Sequence, residues 1–490
     1  MSAVSIVSVT GVTGQPLALT ATVVDGSGVV ILGHQGHRIH PELRDRVYAA
    51  VRNSRTQPGD DRRRVEVRID QESAGPDAAA VATAVLAARL GTPRARLLGT
   101  AVLGELGLDG SLRPVRGVLR AAQTARARGI YRIIVPAATL DEASVVDGLD
   151  VLGAHTLTEI ADWLRGDDTV LHRPSAPIMP VTAPQPWPVI PLTPDVLRAV
   201  TVAAAGGHHL LCETPHDAGG LHLVSWLHAL LPDLTRDQQL EVAAIQSLLG
   251  PREDGAILVS TPPLTVTHHS DRLASLIGGH QPGQVSRAHL GVLFAPDVDQ
   301  FATSAQESLR AVLLNREAHL RQHDGDSRYP AGLQLVATAV RTSRSQWLTP
   351  PALRDTIDIR LAATHLIDVP VHGPQIASIT RLLERTRAQV AVARDRAASR
   401  WRGEGLGAAV LNAQVPREHL HTTNNPDTAA RIRRACEAGR LTLHGGDIVL
   451  RLAWTLADLD GAPEPTADHL DQALTLRNTS AAIPPDTEVR

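Results

Sequence analysis

The stretch from His208 to Leu223 reads HHLLCETPHDAGGLHL. A short apolar run, then Pro215, then Gly219 and Gly220 and a second apolar run form the outline of a strand, a loop and a helix. This outline is typical of folds that hold phosphate groups at the N-terminus of a helix. The loop nevertheless contains neither a lysine nor a threonine after its glycines. The segment therefore predicts a fold more clearly than it predicts a ligand.

The composition limits both the architecture and the chemistry. The chain has 490 residues, of which 43% are apolar, and this length predicts several domains because it exceeds what one core accommodates. It contains no lysine, so all 48 basic residues are arginines. This absence excludes a phosphate-loop lysine, a serine-lysine peptidase dyad and a Schiff-base lysine. The net charge of −3 provides no general attraction for DNA or an anionic membrane.

The sequence favours a cytoplasmic protein without a membrane partner. No basic residues precede the apolar positions near the N-terminus, and nowhere do about 18 apolar residues follow one another. Cys212 and Cys436 lie far apart and form no CxxC pair, so neither a disulfide framework nor a metal site is predicted. The histidine pairs at 208–209 and 268–269 are interpreted as ordinary residues of turns or strand edges.

Residues 1–168 alternate short strands with helices, which predicts an α/β or α+β layer. The apolar residues of 65–69 alternate with charged ones, as in a half-buried strand. Asp77 is predicted to begin an Ala-rich helix. Asp109 and Gly110 lie between two apolar runs and therefore indicate a hairpin.

A proline-rich segment separates this region from the next. Residues 169–194 contain eight prolines, a density that excludes helices and central strands and predicts an extended linker. In the following segment, 195–370, the apolar runs 209–212, 291–298 and 333–340 are predicted strands. Because helical patterns lie between them, we expect a parallel sheet in a three-layer core.

The last segment, residues 371–490, has a helical pattern throughout. Residues 376–401 are predicted to form one long arginine-rich amphipathic helix, in which Glu384 and Arg387 are a candidate ion pair on the solvated face. The basic section 381–402 is a candidate DNA contact, although a solvated helix face is the simpler interpretation.

Several runs of the sequence resemble, in the same order, the ComM/YifB family of magnesium-chelatase-like (ChlI-like) AAA+ ATPases. The resemblance implies a Lon-protease-like (ribosomal S5 domain 2-like) α+β domain over 1–168, an AAA+ α/β core over 195–370 and a helical lid over 371–490. It also implies hexameric rings that act on DNA during recombination or transformation. The matching runs are GELGLDGSLRPVRGVL, IIVPAATLDEASVVDGLDV, VAAAGGHHLL, LEVAAIQSLLG, HHSDRLASLIGG, PGQVSRAHLGVLF and LRLAWTLADL.

In that family the opening stretch corresponds to HHLLLVGPPGSGKT, whose glycines surround the phosphates while its lysine and threonine hold the phosphates and magnesium. Losing one such charge-assisted contact costs about 1.5–3 kcal/mol. The resemblance therefore implies strongly weakened nucleotide binding here. At the family's positions this chain has Thr214 and Asp217 for two glycines, Gly220 for the lysine and Leu221 for the threonine, while Pro215 and Gly219 remain.

The other motifs of phosphoryl transfer differ as well. At the family's GVLFLDE, Pro296 occupies the position of the magnesium-associated aspartate, and Asp297 that of the water-activating glutamate. Val340 occupies the sensor 1 asparagine position. Thr356 occupies the arginine-finger position, with Arg354 two residues before it. Each change affects a different part of hydrolysis, so together they predict that it is lost.

Two further family positions bear on function. Arginines of the family's lid helix correspond to His444, Ile448 and Trp454, while Arg451 remains. In Lon-like peptidases a serine follows a Gly-Pro pair, and here AGPDAAA places Asp77 at that position. Peptidase activity is therefore not expected.

The sequence thus favours a pseudo-ATPase that acts through binding. No cofactor is predicted, and ATP with magnesium is implied by the family alone. The partners implied are further copies of this chain or a ring with an intact paralogue, and DNA by resemblance only. Two alternatives stay open: a weak ATPase that uses Asp297, Arg354 and backbone N–H groups, and a decaying gene product without a selected activity.

Overall fold

The computed structural model describes most of the chain. It covers residues 2–10, 13–33, 41–54, 63–69, 77–184, 186–187, 189–214, 219–252, 254–322, 325–340, 351–362, 366, 376–407, 410–420, 426–438 and 441–478.

The N-terminal region forms a mixed seven-stranded sheet in the order β3-β4-β2-β1-β5-β8-β9 and a separate β6-β7 hairpin. Its strands are β1 (Ser2–Thr10), β2 (Thr13–Asp25), β3 (Val29–Leu32), β4 (Arg63–Ile69), β5 (Thr100–Val102), β6 (Glu105–Leu106), β7 (Leu112–Arg113), β8 (Arg132–Pro136) and β9 (Asp150–Ala154). Its helices are α1 (Pro41–Asn53), α2 (Ala78–Leu90), α3 (Arg94–Leu97), α4 (Val118–Ala127), α5 (Leu140–Ser144) and α6 (Leu157–Arg165).

Local sequence explains the main elements of this region. The Asp77 carboxylate accepts a hydrogen bond from the N–H of Ala79 at 3.1 Å and so caps α2, as predicted. Ten residues of α2 are buried, which fits its Ala- and Val-rich sequence. The predicted hairpin is also confirmed, because Leu106 of β6 pairs with Leu112 of β7 and Gly110 has φ +85° in the turn between them.

The proline-rich segment follows the surface of the core. The N–H of Val181 donates to the carbonyl of Leu258 at 2.9 Å, and the N–H of Ser260 donates back to Val181 at 3.0 Å. A buried apolar cluster joins the N-terminal region to the core, with α4 packed on the helix at 236–249. These contacts stabilise the position of the N-terminal region against the core.

The core is a five-stranded parallel sheet in the order β11-β12-β15-β10-β16. The three predicted strands are confirmed with shifted ends, while β11 and β16 were not predicted. The core elements are α7 (Pro194–Gly206), β10 (Leu210–Thr214), α8 (Gly220–Leu230), α9 (Arg236–Leu249), β11 (Leu264–Val266), α10 (Leu273–Ile277), α11 (Gln284–Arg287), β12 (Val292–Ala295), α12 (Thr303–Asn315), β13 (Glu317–Gln322), β14 (Gly325–Pro330), β15 (Gln334–Val340), α13 (Pro351–Thr356) and β16 (Ile359–Ala362).

The C-terminal region is helical, as predicted. Its long helix packs against α7 and α8 of the core through a shared apolar cluster. The predicted pair between Glu384 and Arg387 is wrong, because Arg387 instead pairs with Asp233 of the core at 2.8 Å. The helices are α14 (Ile376–Gly403), α15 (Arg417–Leu420), α16 (Pro426–Glu437), α17 (Leu443–Asp460) and α18 (Ala467–Asn478).

Across the residues that the structure describes, none of the helices combines the length and the apolar character needed to cross a bilayer.

Candidate nucleotide-binding edge of the core sheet

The register of the parallel sheet gathers most of the predicted positions at its carboxyl edge. Thr214 at the end of β10 is the direct partner of Val340 at the end of β15. Pro296 follows Ala295, the last residue of β12, which is paired with Ala337 of β15. The carboxyl edge is where open parallel sheets bind ligands. The sheet therefore brings together the positions predicted for the phosphate loop, the magnesium carboxylate and sensor 1.

Three of the predicted positions, Thr214, Pro215 and Asp217, lie at or just after the end of β10 in the sequence. Thr214 is predicted as a loop residue, but it is the last residue of β10 and only 3% exposed, so the strand extends further than expected. Pro215 and Asp217 lie outside the described residues.

The first turn of α8 has no room for a side chain at the lysine position. Gly219 has φ +91°, a left-handed conformation that favours glycine, and it precedes the helix as its N-cap. A Cβ atom on Gly220 would lie 2.7 Å from Cγ2 of Thr338 and 3.0 Å from Cζ of Phe294. The next residue, Leu221, is 43% exposed and offers no oxygen ligand for magnesium from its side chain. Phe294 of β12 and Thr338 of β15 therefore occupy the space that the first carbon of a side chain at position 220 would need.

The residues after β12 are held by local hydrogen bonds. Asp297 has φ +50°, and its N–H donates to Oγ1 of Thr338 at 3.1 Å. Asp299 carries a carboxyl whose pKa is raised by burial, and the backbone N–H of Val340 opposes this shift. The negative charge of Asp297 raises that pKa further. This part of the edge thus presents two neighbouring acidic groups, an arrangement that repels a phosphate.

Arg354 is engaged inside the protein. Its Nε lies 3.2 Å from Oε1 of Glu213, and the side chains are 15% and 4% exposed respectively. The pair joins α13 to the end of β10, next to the loop. A buried pair of this kind fixes both side chains, because separating them would leave a charge without compensation. Arg354 is therefore held within its own subunit.

Further ion pairs and hydrogen bonds connect the end of α13, which carries Arg354, to α18. Arg477 donates to Oδ1 of Asp355 at 2.6 Å and to its carbonyl at 2.7 Å, and it also donates to the carbonyl of Ile357. The pKa of Arg360 is lowered by burial and then by the positive charges of Arg477 and Arg354. The network ties the last helix to the edge strand β16.

Thr356 does not join the other predicted positions. It ends α13 and is 7% exposed, and its Oγ1 donates to the carbonyl of Ala352 at 2.9 Å. It lines a cavity together with His209 and Asp358, at the amino ends of β10 and β16. The predicted arginine-finger position therefore lies at the opposite edge of the sheet from the phosphate loop.

Other reactive groups in the described chain have structural roles. Burial, together with neighbouring Glu213, raises the pKa of the Cys212 thiol to about 12. Burial raises the pKa of Asp77 to about 7, while its carboxylate caps α2. Nε2 of His208 lies 2.8 Å from Oγ1 of Thr455 in helix α17 of the C-terminal region. This last arrangement sets a hydroxyl beside an imidazole, but both side chains are fully buried and Oγ1 of Thr455 donates to the carbonyl of Arg451 at 3.0 Å, so the pair is closed to a substrate and joins two parts of the fold.

Several residues that shape this edge were not predicted to matter. Glu213 could have been noticed, since a charged residue inside the apolar run LLCET is buried and needs a partner. Phe294 and Thr338 carry no such signal, because only the packing of the strands brings them against Gly220.

Family models match three parts of the chain. "Subunit ChlI of Mg-chelatase" matches residues 23–139, "Magnesium chelatase, subunit ChlI" matches 193–356, and "Magnesium chelatase, subunit ChlI C-terminal" matches 383–477. Together these models cover more than half of the chain, in the order that the matching sequence runs predict.

Individual relatives extend over almost the whole sequence. The chain is 36% identical over 506 residues to "Uncharacterized protein Rv2897c" of Mycobacterium tuberculosis, covering 97% of this chain and 98% of that protein. It is 29% identical over 422 residues to YifB of Escherichia coli, with 81% of each chain covered. It is 27% identical over 419 residues to "Competence protein ComM" of Haemophilus influenzae, again with 81% of each covered. The chain belongs to the ComM/YifB family of ChlI-like AAA+ proteins.

Proposed function

We propose that this chain is a family member that no longer hydrolyses ATP and that acts as a binding or regulatory subunit. The observation that carries this proposal is the packing of Gly220 against Thr338 and Phe294. A lysine at this position reaches the β- and γ-phosphates in working phosphate loops. Here the lysine is absent, and the first atom of any side chain would collide with Cγ2 of Thr338 at 2.7 Å and press on the Phe294 ring at 3.0 Å. The surrounding fold is retained, while the space for the group that binds phosphate is filled.

The enzyme alternative uses Asp297, Arg354 and backbone N–H groups, and the contacts of these residues argue against it. Arg354 is engaged with Glu213 in a buried pair, so reaching a phosphate would leave Glu213 buried without its ionic partner. Asp297 lies beside the acidic Asp299. A water-activating carboxylate is positioned against a magnesium-bound phosphate, and Pro296 supplies no metal ligand.

We propose the same three-part organisation that the family resemblance implies. Residues 1–168 then form a Lon-protease-like domain, 195–370 an AAA+ core and 371–490 a lid, with 169–194 as the linker. The chain would assemble with copies of itself or with an intact paralogue in a ring, because AAA+ subunits exchange catalytic groups across neighbouring subunits.

A role in DNA recombination or transformation is proposed through the family resemblance and through the printed name of the competence protein ComM alone. The arginine-rich helix α14 adds little support, since Arg394 donates to the carbonyl of Ala204 at 2.6 Å and 2.9 Å. Arg396 donates to the carbonyl of Asp458 at 2.6 Å, and Arg400 pairs with its carboxylate. Arg394 therefore joins α14 to the core helix α7, while Arg396 and Arg400 join it to α17, so all three face protein groups.

An assay of phosphate release from ATP and magnesium tests the proposal. The parent chain and Asp297→Asn are expected to release phosphate at the same background rate, because the carboxylate activates no water. A parent rate above background that Asp297→Asn abolishes would establish the enzyme alternative instead. Adding the purified intact paralogue then tests assembly. A ring partner should co-sediment with this chain at micromolar concentration, and separate sedimentation would contradict that part of the proposal.

A further inference from the structure

A cavity of about 250 Å³ lies at the amino edge of the core sheet, between the core and the lid. It is far larger than the roughly 10–15 Å³ that a single water requires. Its walls come from α12, the starts of β10, β15 and β16, and the lid helix α17. The polar groups that matter here are those of His209, Arg316, Asp358, Gln414 and Arg451.

Arg316 is the first cationic group of this cavity. It follows α12 with φ +58°, a conformation that a non-glycine residue adopts only at a cost. Burial lowers the pKa of its guanidinium, and none of the residues that the structure describes forms a hydrogen bond or ion pair with it. The residue as a whole is nevertheless exposed, so its guanidinium lies at the rim of the cavity, where a ligand from solvent can reach it.

Arg451 is the second cationic group of this cavity. Its Nε donates to the carbonyl of Val415 at 3.0 Å, which holds the guanidinium in place on α17. Its Nη atoms have no hydrogen-bond partner within the described part of the chain. Nδ1 of His209 accepts the N–H of Leu335 at 3.1 Å, so in the neutral ring Nε2 carries the proton and is a donor. Donors from the core and from the lid thus line the same space.

Asp358 is the opposing charge. Its carboxylate accepts the N–H of His209 at 2.8 Å and lies 3.7 Å from Nδ1 of His208. Although burial alone would raise its pKa, the interactions with the two histidines lower the pKa of Asp358 to about 2, so it is ionised. Two guanidiniums thus line the cavity with one carboxylate, that of Asp358, while Asp447 also acts on Arg451 from beside it.

We propose that this cavity binds a phosphate group, held by the Nη donors of Arg316 and Arg451 and by Nε2–H of His209. Guanidiniums are well suited to this role because their planar donors match the oxygens of a phosphate. The phosphate could belong to a free metabolite or to a nucleotide presented by a neighbouring copy of the chain. The chemistry at the cavity is the same in both cases, and it does not depend on the proposed loss of hydrolysis.

Titration calorimetry of the full chain with inorganic pyrophosphate tests the site. One pyrophosphate should bind per chain, and Arg316→Gly should weaken binding by about 10- to 100-fold, the usual loss for a charge-assisted hydrogen bond. Arg451→Gln should do the same. Arg310→Gln is the matched control, because it removes the same charge from an exposed residue of α12, the helix that Arg316 follows. Arg310 does not line the cavity.

Neither Arg316 variant is expected to misfold, so a loss of pyrophosphate binding would reflect the loss of the guanidinium. Glycine accepts φ +58° without strain, so Arg316→Gly should fold at least as stably as the parent. Arg316→Asn is the second variant, since asparagine also tolerates this region. No saturable pyrophosphate binding at millimolar concentration, or an affinity that neither Arg316 variant changes, would overturn the proposal.

A parallel titration with ATP distinguishes the two sources of phosphate. ATP binding that is tighter than pyrophosphate binding and equally sensitive to Arg316→Gly indicates a nucleotide. ATP binding no tighter than pyrophosphate binding indicates a free phosphorylated ligand. Both outcomes keep the phosphate site, whereas tight ATP binding that is indifferent to Arg316 and Arg451 counts against it.

Discussion

The two edges of the five-stranded core sheet differ in the charge that they present. At the carboxyl edge, where parallel sheets bind nucleotides, Asp297 and Asp299 lie near a closed helix N-terminus and Arg354 is engaged with Glu213. At the amino edge, an open cavity contains Arg316 and Arg451. A fold determines where a phosphate site is geometrically available, but the side chains determine where one exists. On the two proposals made above, the two locations do not coincide in this chain.

The largest expected effect concerns the buried pair at the carboxyl edge. Arg354→Met should lower the free energy of unfolding by about 3–5 kcal/mol, because it removes the ionic partner of the buried Glu213 carboxylate. Urea unfolding followed by tryptophan fluorescence measures this change. The double variant Glu213→Leu with Arg354→Met should recover most of the loss, since it removes both charges. If the double variant is no more stable than the single one, the pair does not hold this edge.

A second variant tests whether the lysine position is closed. Gly220→Ala should lower the free energy of unfolding by about 1–3 kcal/mol, the usual cost of overpacking, because the new Cβ would lie 2.7 Å from Cγ2 of Thr338. Thr338→Ser removes that methyl group and keeps the hydroxyl that accepts from Asp297. The combination should therefore be more stable than Gly220→Ala alone. A Gly220→Ala variant as stable as the parent would mean that the space is open.

A smaller effect of opposite sign is expected at the amino edge. Arg316→Gly should raise the free energy of unfolding by about 0.5–1 kcal/mol, because glycine relieves the left-handed conformation, against a modest loss of chain entropy. The same urea experiment measures it, with Arg310→Gln as the control. A destabilised Arg316→Gly variant would show that the guanidinium supports the fold and is not held in place for a ligand.

Much of the fold could be predicted from the sequence because its signals are local. Asp77 caps α2 as its side chain indicates, Gly110 forms the hairpin turn, and the apolar runs at 209–212, 291–298 and 333–340 contain three parallel strands. The strands β11 and β16 were missed, since each is only three or four residues long and carries little pattern. The pairing of Arg387 with Asp233 was also missed, because it joins residues that are distant in sequence.

Only part of the candidate site could be predicted from the sequence, because the rest depends on contacts between residues that are distant in the chain. Alignment with a family motif identifies which side chains are absent at Gly220, Leu221 and Pro296. It does not show that Phe294 and Thr338 fill the space, nor that Thr356 lies at the opposite edge with Arg316. Those facts depend on how strands and helices distant in sequence pack together.

Equilibrium binding of ATP in the presence of magnesium tests the central claim most directly. We expect no saturable binding at micromolar ATP that depends on the phosphate loop, so Gly219→Glu, which places a carboxylate at the start of α8, should leave the titration unchanged. Binding through the arginine cavity would be equally indifferent to Gly219→Glu and sensitive to Arg316→Gly. Because Gly219 has φ +91°, the substitution also strains the backbone, so Leu221→Glu, which places the carboxylate at an exposed position of the same turn, is the second variant. A micromolar dissociation constant that both Gly219→Glu and Leu221→Glu abolish would contradict the claim that this edge has lost its nucleotide site.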